Sequence, residues 1–208
     1  MVYNLTSTPA GQTVSQQKLT TKHLTLKDMQ KFTSNKSTVI KTAVCADISG
    51  SMSGNKIAEV RRMLSIVMTT GTKGIAFSDV VYELEPSDIA GLQTQGGTNM
   101  LLALNTCWDE QFKHMILMTD GQPTGSSKED ILIACAQHKD IPIDTIGIGD
   151  IGGGGYDPDF LREIARITGG RFTDCGEPIR LTAMVQDLLE HRPDSLLNAP
   201  LSGGAIQL

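Results

Sequence analysis

The chain has 208 residues, of which 39% are hydrophobic and 20% charged, and it carries a formal net charge of −5 at pH 7. A chain of this size has room for one ordinary domain with short extensions, and its apolar content excludes a wholly disordered protein. The acidic balance argues against a large surface for nucleic acid or anionic membrane, and favours a neutral or cationic partner or a metal ion.

Residues 1–36 are predicted to be a polar N-terminal extension, because they are rich in Ser, Thr, Gln and Lys and show little periodicity. They lack the basic start and the apolar run of a signal peptide, and no window approaches about 18 uninterrupted apolar residues. The four cysteines have no zinc-binding spacing and are interpreted as reduced thiols. We therefore expect a soluble cytoplasmic protein, or a virion-associated one if the source is viral.

The predicted domain covers residues 37–192 and opens with a strand and a helix. Residues 38–48 (TVIKTAVCADI) are rich in β-branched and apolar side chains and predict a strand that enters a tight turn. After Asn55, apolar residues recur every three or four positions, which predicts an amphipathic helix. The runs at 74–78 and 80–84 follow each other too closely for a parallel crossover, so they predict a hairpin.

Strands and helices alternate through the second half of the predicted domain. Helices are predicted over 99–108, 126–138, 158–168 and 178–191, with strands over 114–120, 141–149 and 171–175 between them. This alternation predicts an α/β fold, a doubly wound three-layer sandwich with a mainly parallel sheet and one antiparallel edge strand. Residues 193–208 then form a tail with several apolar side chains, which we expect to dock in extended form on a neighbouring chain or on its own domain.

Polar side chains follow the predicted strands at the edge of the sheet where doubly wound folds bind ligands. Asp47, Ser49 and Ser51 form D-x-S-x-S after the first strand, Thr98 precedes a helix, and Asp120 follows the 114–119 strand. Hydroxyls and carboxylates without thiolate or imidazole are the ligands of a hard divalent cation, and a mostly neutral set suits a Mg²⁺ that keeps some water. The sequence therefore predicts a site for Mg²⁺, or for Mn²⁺ in its place.

The segments ADISGSM, GGTNM and MTDG resemble the three segments of the metal-ion-dependent adhesion site (MIDAS) in von Willebrand factor A (vWA) domains. The resemblance implies the Rossmann-like vWA fold and a role for each ligand. Ser49 and Ser51 would bind the metal directly, Thr98 directly or through water, and Asp47 and Asp120 mainly through water. It also implies one open coordination position that the carboxylate of a partner protein completes.

On this basis we predict divalent-metal-dependent protein binding without catalysis. Gly97, Asn99, Gly121 and Asp150 are the candidate rim that touches the partner. Two other interaction roles stay open. One is a structural or assembly subunit of a virion or multiprotein complex, with a structural metal and binding through the two extensions. The other is an adaptor that hands clients to an AAA-type ATPase, as some intracellular members of the vWA family do.

The same residues admit simpler or different interpretations. Asp47 and Ser49 are expected to form a turn and to cap the following helix, in addition to any metal role. A calcium EF-hand loop that starts at Asp47 fails, because Met52 and Ala58 stand where Gly and Glu are required. A D-x-D phosphotransfer site fails as well, since its second acid would be Ser49.

The only catalytic alternative is an NAD-linked enzyme, which would depend on residues 147–152 because they spell G-x-G-x-x-G after a strand. In a dinucleotide-binding unit such glycines open a helix directly. Here further glycines and Tyr156 intervene before Pro158, so we interpret the segment as a loop on the metal-bearing edge.

Overall fold

A computed structural model of the chain describes residues 42–68, 72–149 and 155–191. The predicted extensions, residues 1–36 and 193–208, and the candidate rim residue Asp150 lie outside these ranges.

The described residues contain one six-stranded sheet. Its strands are β1 (Thr42–Asp47), β2 (Lys73–Phe77), β3 (Val81–Leu84), β4 (His114–Thr119), β5 (Ile143–Ile148) and β6 (Phe172–Cys175). They lie in the order β3-β2-β1-β4-β5-β6, and all neighbours are parallel except β2 and β3. The predicted parallel sheet with one antiparallel edge strand is confirmed, and so is the hairpin.

The helices between these strands follow the predicted order, with shifts at their ends. They are α1 (Asn55–Val67), α2 (Met100–Asp109), α3 (Lys128–Gln137), α4 (Pro158–Thr168) and α5 (Leu181–Glu190). The segment predicted as one helix over 178–191 begins with a 3₁₀ turn, Pro178–Arg180, before α5. Helix α3 is capped by Ser127, whose hydroxyl accepts a hydrogen bond from the Asp130 N–H, so it starts later than the prediction of residue 126.

Helices cover both faces of the sheet because the side chains of its central strands alternate between two apolar clusters. In β1, Val44 and Ala46 pack with residues of α1 and α5, whereas Ala43 and Cys45 pack with residues of α2, α3 and α4. Every residue of β1 and β4 is buried. This double coverage explains why the interiors of both strands, residues 43–46 and 115–118, are continuous apolar runs, and it confirms the three-layer architecture.

Two further features concern the cysteines and the lengths of the helices. All four cysteines are buried and free of disulfide bonds. Across residues 42–68, 72–149 and 155–191, no helix is long and apolar enough to cross a membrane.

The fold places a crevice at the carboxyl ends of β1 and β4. These strands are neighbours, but the next strand after β1 is β2 on one side, and the next strand after β4 is β5 on the other. Such a reversal of strand order leaves a gap between the connecting loops, where ligands bind in open α/β sheets. Asp47 ends β1 and Asp120 directly follows β4, so both carboxylates stand at this crevice.

Candidate metal centre

Asp47 organises the loop that leaves β1. Its Oδ1 accepts a 2.7 Å hydrogen bond from the Ser49 N–H, and its Oδ2 accepts a 2.6 Å bond from the Thr119 hydroxyl. The first contact is the turn that the sequence predicts. The predicted helix cap is wrong, because neither the 3₁₀ turn at Gly50–Met52 nor α1 has a side-chain cap. Both oxygens of Asp47 instead accept hydrogen bonds from Ser49 and Thr119.

Burial raises the pKa of Asp47 to about 6, and the negative charge of Asp120 adds to this rise. Hydrogen bonds from Thr119 and Ser49 act in the opposite direction, because they stabilise the ionised form. The side chain is fully buried, so the ionised carboxylate is costly unless it is compensated by a cation. The electrostatics of this strand end therefore favour a positively charged ligand.

Ser49 and Ser51, in the loop that leaves β1, connect this loop to Asp120. Ser51 Oγ donates a 2.7 Å hydrogen bond to Asp120 Oδ1 and lies 3.0 Å from Ser49 Oγ. Ser49 and Asp120 are buried, whereas Ser51 is exposed. Three oxygen-bearing side chains from two strand ends thus form one continuous polar cluster that opens toward solvent through Ser51.

Thr98 reaches the same cluster from the loop before α2. A methyl group placed on Gly121 would lie 3.7 Å from both Ser51 Oγ and Thr98 Oγ1, which shows that the two hydroxyls flank Gly121. The Thr98 backbone is fixed by Thr124: its N–H donates to Thr124 Oγ1 at 2.8 Å, and its carbonyl accepts from the Thr124 N–H at 3.0 Å. The structure therefore brings all five predicted ligands to one edge of the sheet.

The loop that carries Thr98 requires a glycine at its turn. Gly96 has a φ of +65°, and a side chain there would overlap the carboxylate of Asp79. That carboxylate accepts a 2.9 Å hydrogen bond from the Gly97 N–H, and the Gly96 carbonyl accepts one of 3.1 Å from the Gly50 N–H. The bond to Asp79 ties the Thr98 loop to the turn between β2 and β3, and the bond to Gly50 ties it to the first loop, which leaves β1 and carries Ser49 and Ser51.

An open pocket of about 400 Å³ lies over the cluster. Its lining residues are Ser49, Gly50, Ser51, Gly96, Gly97, Thr98, Gly121, Gln122 and Thr124. Glycines and small hydroxyl residues dominate this surface, so an approaching side chain can reach the cluster without displacing bulky groups. The described residues contain no group of three or more His, Cys, Asp or Glu side chains suited to a metal. A metal here would depend on hydroxyls, which suits Mg²⁺ better than Zn²⁺.

The four candidate rim residues have different positions. Gly97 and Gly121 line the pocket. Asn99 instead caps α2, because its side-chain oxygen accepts a 3.2 Å hydrogen bond from the Leu102 N–H. Asp150 lies outside the described residues.

Three residues of the site were missed by sequence reasoning. Thr119 and Thr124 flank Asp120, and their hydroxyls hold Asp47 and the Thr98 loop. Lys56, the second residue of α1, places its Nζ 2.5 Å from Asp120 Oδ2. The threonines could have been suspected from their closeness to Asp120 in the sequence. Lys56 gave no signal, because a lysine near the start of an amphipathic helix is ordinarily solvent-facing.

The glycine motif at residues 147–152 has a different local role from dinucleotide binding. Gly147 lies within β5, and a side chain there would overlap the ring of Tyr156, which packs directly over it. Helix α4 begins only at Pro158. The glycine at 147 is therefore explained by the close approach of an aromatic ring.

Comparison with known proteins supports a family for this fold. A family model described as von Willebrand factor type A domain matches residues 84–174, which is less than half of the chain. The match includes Thr98 and Asp120 but not the D-x-S-x-S segment. A comparison with curated proteins found no match.

Several solved structures share the fold. The VWA2 paralogue of ArnB from Sulfolobus acidocaldarius is 24% identical with a TM-score of 0.56, over 69% of this chain and 43% of that one. BatB from Bacteroides thetaiotaomicron is 15% identical with a TM-score of 0.55, over 73% of this chain and 98% of that one. Proximal thread matrix protein 1 from the mussel byssus, solved with zinc in its MIDAS motif, is 20% identical with a TM-score of 0.54, over 72% of this chain and 44% of that one.

The chain thus spans less than half of the first and third of these proteins, and nearly all of the second. Identities at this level establish the fold alone. Together with the match over residues 84–174, they support a von Willebrand factor type A domain.

Proposed function

We propose that this chain is a divalent-metal-dependent protein-binding module. The observation that carries the proposal is the position of Ser51 Oγ, which lies 3.0 Å from Ser49 Oγ and 2.7 Å from Asp120 Oδ1 at the open pocket. Ser49, Ser51 and Thr98 would hold a Mg²⁺ ion, with Asp47 and Asp120 as the charge-compensating carboxylates behind them. When bound, the metal would supply an open coordination position for the carboxylate of a partner.

The residues of the chain itself account for the remaining requirements of such a site. Thr119 and the Ser49 N–H fix both oxygens of Asp47, and Thr124 fixes the Thr98 loop, so the oxygens are ordered before any ligand arrives. The small residues around the pocket leave access for an Asp or Glu side chain. One neighbour of the same fold holds zinc in its MIDAS motif, which supports a divalent metal at the corresponding edge of this sheet.

The proposed role is binding rather than catalysis, and the proposed location is the cytoplasm. The described residues that line the pocket include two serines but no His, the side chain that most often acts as the general base for a nucleophile. The four buried free thiols fit a reducing compartment.

Metal binding is tested first, by thermal and urea unfolding with Mg²⁺, with Mn²⁺ and with EDTA. A metal that binds only the folded chain stabilises it by about 2.7 kcal/mol at one hundred times its Kd. Asp47→Ala and Asp120→Ala should each remove this response. An equal response in wild type and in both variants would show that the metal acts elsewhere.

Partner binding is tested by affinity capture with the immobilised chain, once with Mg²⁺ and once with EDTA. Ser51→Ala is the binding-site variant. Ser51 is exposed, so its substitution removes a proposed metal ligand and leaves the buried core intact. Proteins that are retained by wild type with Mg²⁺ but lost with EDTA and with Ser51→Ala support the proposal. Retention that is unaffected by EDTA contradicts it.

A further inference from the structure

Lys56 occupies a position between the strand ends of the candidate site. Its Nζ lies 2.5 Å from Asp120 Oδ2 and 3.4 Å from the Ser51 carbonyl oxygen. On the side of β5, a methyl group placed on Gly149 would lie 3.3 Å from Lys56 Cε. The lysine therefore lies across the edge of the sheet, from the first loop to the end of β5, with 30% of its side chain exposed.

The ammonium group of Lys56 compensates a carboxylate that is otherwise poorly neutralised. The Asp120 side chain is fully buried, and among the described residues its other oxygen accepts a hydrogen bond from the neutral hydroxyl of Ser51. A buried carboxylate is strongly destabilising unless it is paired with a cation. The charge of Asp120 also acts unfavourably on Asp47. In the structure, Lys56 supplies the positive charge that pairs with Asp120.

We propose that Lys56 is an internal competitor for the metal, an inference that rests on the proposed function. Its ammonium neutralises Asp120 when no ion is bound, and a divalent cation can enter only by displacing or weakening that ion pair. The two cations share one carboxylate and repel each other, so the lysine lowers the metal affinity of the site. It also keeps the metal-free protein stable, because Asp120 is never left without a counter-charge.

This arrangement has a second consequence for the loaded site. The carboxylates of Asp47 and Asp120 and the ammonium group of Lys56 together carry a charge of −1, which repels an acidic partner. A divalent cation changes this value to +1 if the lysine stays nearby. The exposed part of the Lys56 side chain gives the ammonium a path to solvent and to the partner's carboxylate. The lysine thus restrains metal binding while making the loaded site attractive to an anion.

The test compares Lys56→Met with wild type, Lys56→Arg and Lys113→Met in the full chain. Methionine keeps the length, apolar stem and helix propensity of lysine but removes its charge. Arginine keeps the charge. Lys113 is an exposed lysine directly before β4, about 20 Å along that strand from Asp120, so its change removes the same charge at the far end of the sheet. Titration calorimetry with Mg²⁺ and with Mn²⁺ gives the affinities, and thermal unfolding in EDTA gives the metal-free stability.

We expect Lys56→Met to bind Mg²⁺ at least about tenfold more tightly than wild type, which corresponds to about 1.4 kcal/mol. It should also unfold at a lower temperature in EDTA and gain more from the metal. Lys56→Arg and Lys113→Met should stay within about threefold of wild type. Binding by Lys56→Met alone, with none detectable in wild type, would support the competition but would contradict the proposed metal-dependent function of the wild-type chain.

Three results would overturn the inference. If wild type binds metal and Lys56→Met binds it equally or more weakly, the lysine is not a competitor, although the proposed function survives. If Lys113→Met tightens binding as much as Lys56→Met, the effect is one of net charge alone. If no variant binds a divalent cation, the proposed function fails and this inference fails with it.

Discussion

The hydroxyl of Thr119 donates a 2.6 Å hydrogen bond to Asp47 Oδ2 and joins the carboxyl ends of the two central strands. Thr119 Oγ1 also accepts a 3.1 Å hydrogen bond from the Gly121 N–H, so it shapes the loop that follows β4. The buried hydroxyl of Thr119 therefore holds both the Asp47 carboxylate and the turn that begins at Asp120.

Thr119→Val should lower the free energy of unfolding by about 1.5 to 3 kcal/mol, because it removes a hydrogen bond to a buried charged group without changing the side-chain shape. Urea unfolding measures the change. Thr119→Ser keeps the hydroxyl and is the control. If the valine variant is as stable as the serine variant, the bond to Asp47 does not contribute to stability.

Thr98→Ala should weaken metal-dependent partner binding by much more than it weakens the fold. The loop around Thr98 is held through backbone bonds to Thr124, which the substitution leaves intact, while the hydroxyl beside Ser51 is lost. Capture of partners with Mg²⁺ is compared with urea unfolding of the same protein. Thr98→Ser should retain binding, and an alanine variant that unfolds would contradict the assignment of this hydroxyl to the binding surface.

Gly147→Ala should destabilise the domain by about 1 to 3 kcal/mol, as overpacking in a core typically does. The added methyl group would overlap the ring of Tyr156, which is held in place by a 2.6 Å hydrogen bond from its hydroxyl to Asp174. A double-mutant cycle provides the check. In a Tyr156→Ala background the same glycine substitution should cost much less, and an unchanged cost would mean that the ring is not the cause.

A pH dependence is expected at the ion pair between Lys128 and Asp157, which joins the starts of α3 and α4 at 2.6 Å. The hydrogen bond from Lys128 lowers the pKa of Asp157 below its ordinary value, and the Phe160 N–H adds to this effect. Because the folded state holds the proton less tightly than the unfolded state, the stabilisation is fully present above a pH of about 4 and is lost as the pH falls through the folded pKa.

Lys128→Met should therefore be less stable than wild type at pH 7 by up to about 1 kcal/mol at low salt, since the pair is partly exposed. The difference should shrink as the pH falls below about 4 and through the lowered pKa of Asp157, where the carboxyl becomes protonated even beside the lysine. Urea unfolding over a pH series measures it. A difference of constant size from pH 7 to pH 3 would assign the effect to packing of the lysine on Phe160 instead of to charge.

The architecture was predictable because its signals are local. Continuous apolar runs gave β1 and β4, and the short connection between β2 and β3 allowed only a hairpin. The five candidate ligands were found from their positions at strand ends, which the alternation of strands and helices brings to one edge. The position of Lys56 was not predictable, because its partner Asp120 is 64 residues away and the pairing depends on how α1 lies over the sheet. The cap formed by Asn99 depends on where α2 begins, and helix ends are poorly determined by sequence patterns.

The hydrogen bond between Ser51 and Asp120 joins residues that are 69 positions apart in the chain. During synthesis, the D-x-S-x-S loop leaves the ribosome long before Asp120 does. The candidate ligand oxygens can meet only after β4 has inserted beside β1, so the candidate metal centre stays incomplete in a nascent chain until its central strand pair has formed. The order of synthesis thereby delays completion of this centre until the core of the domain is in place.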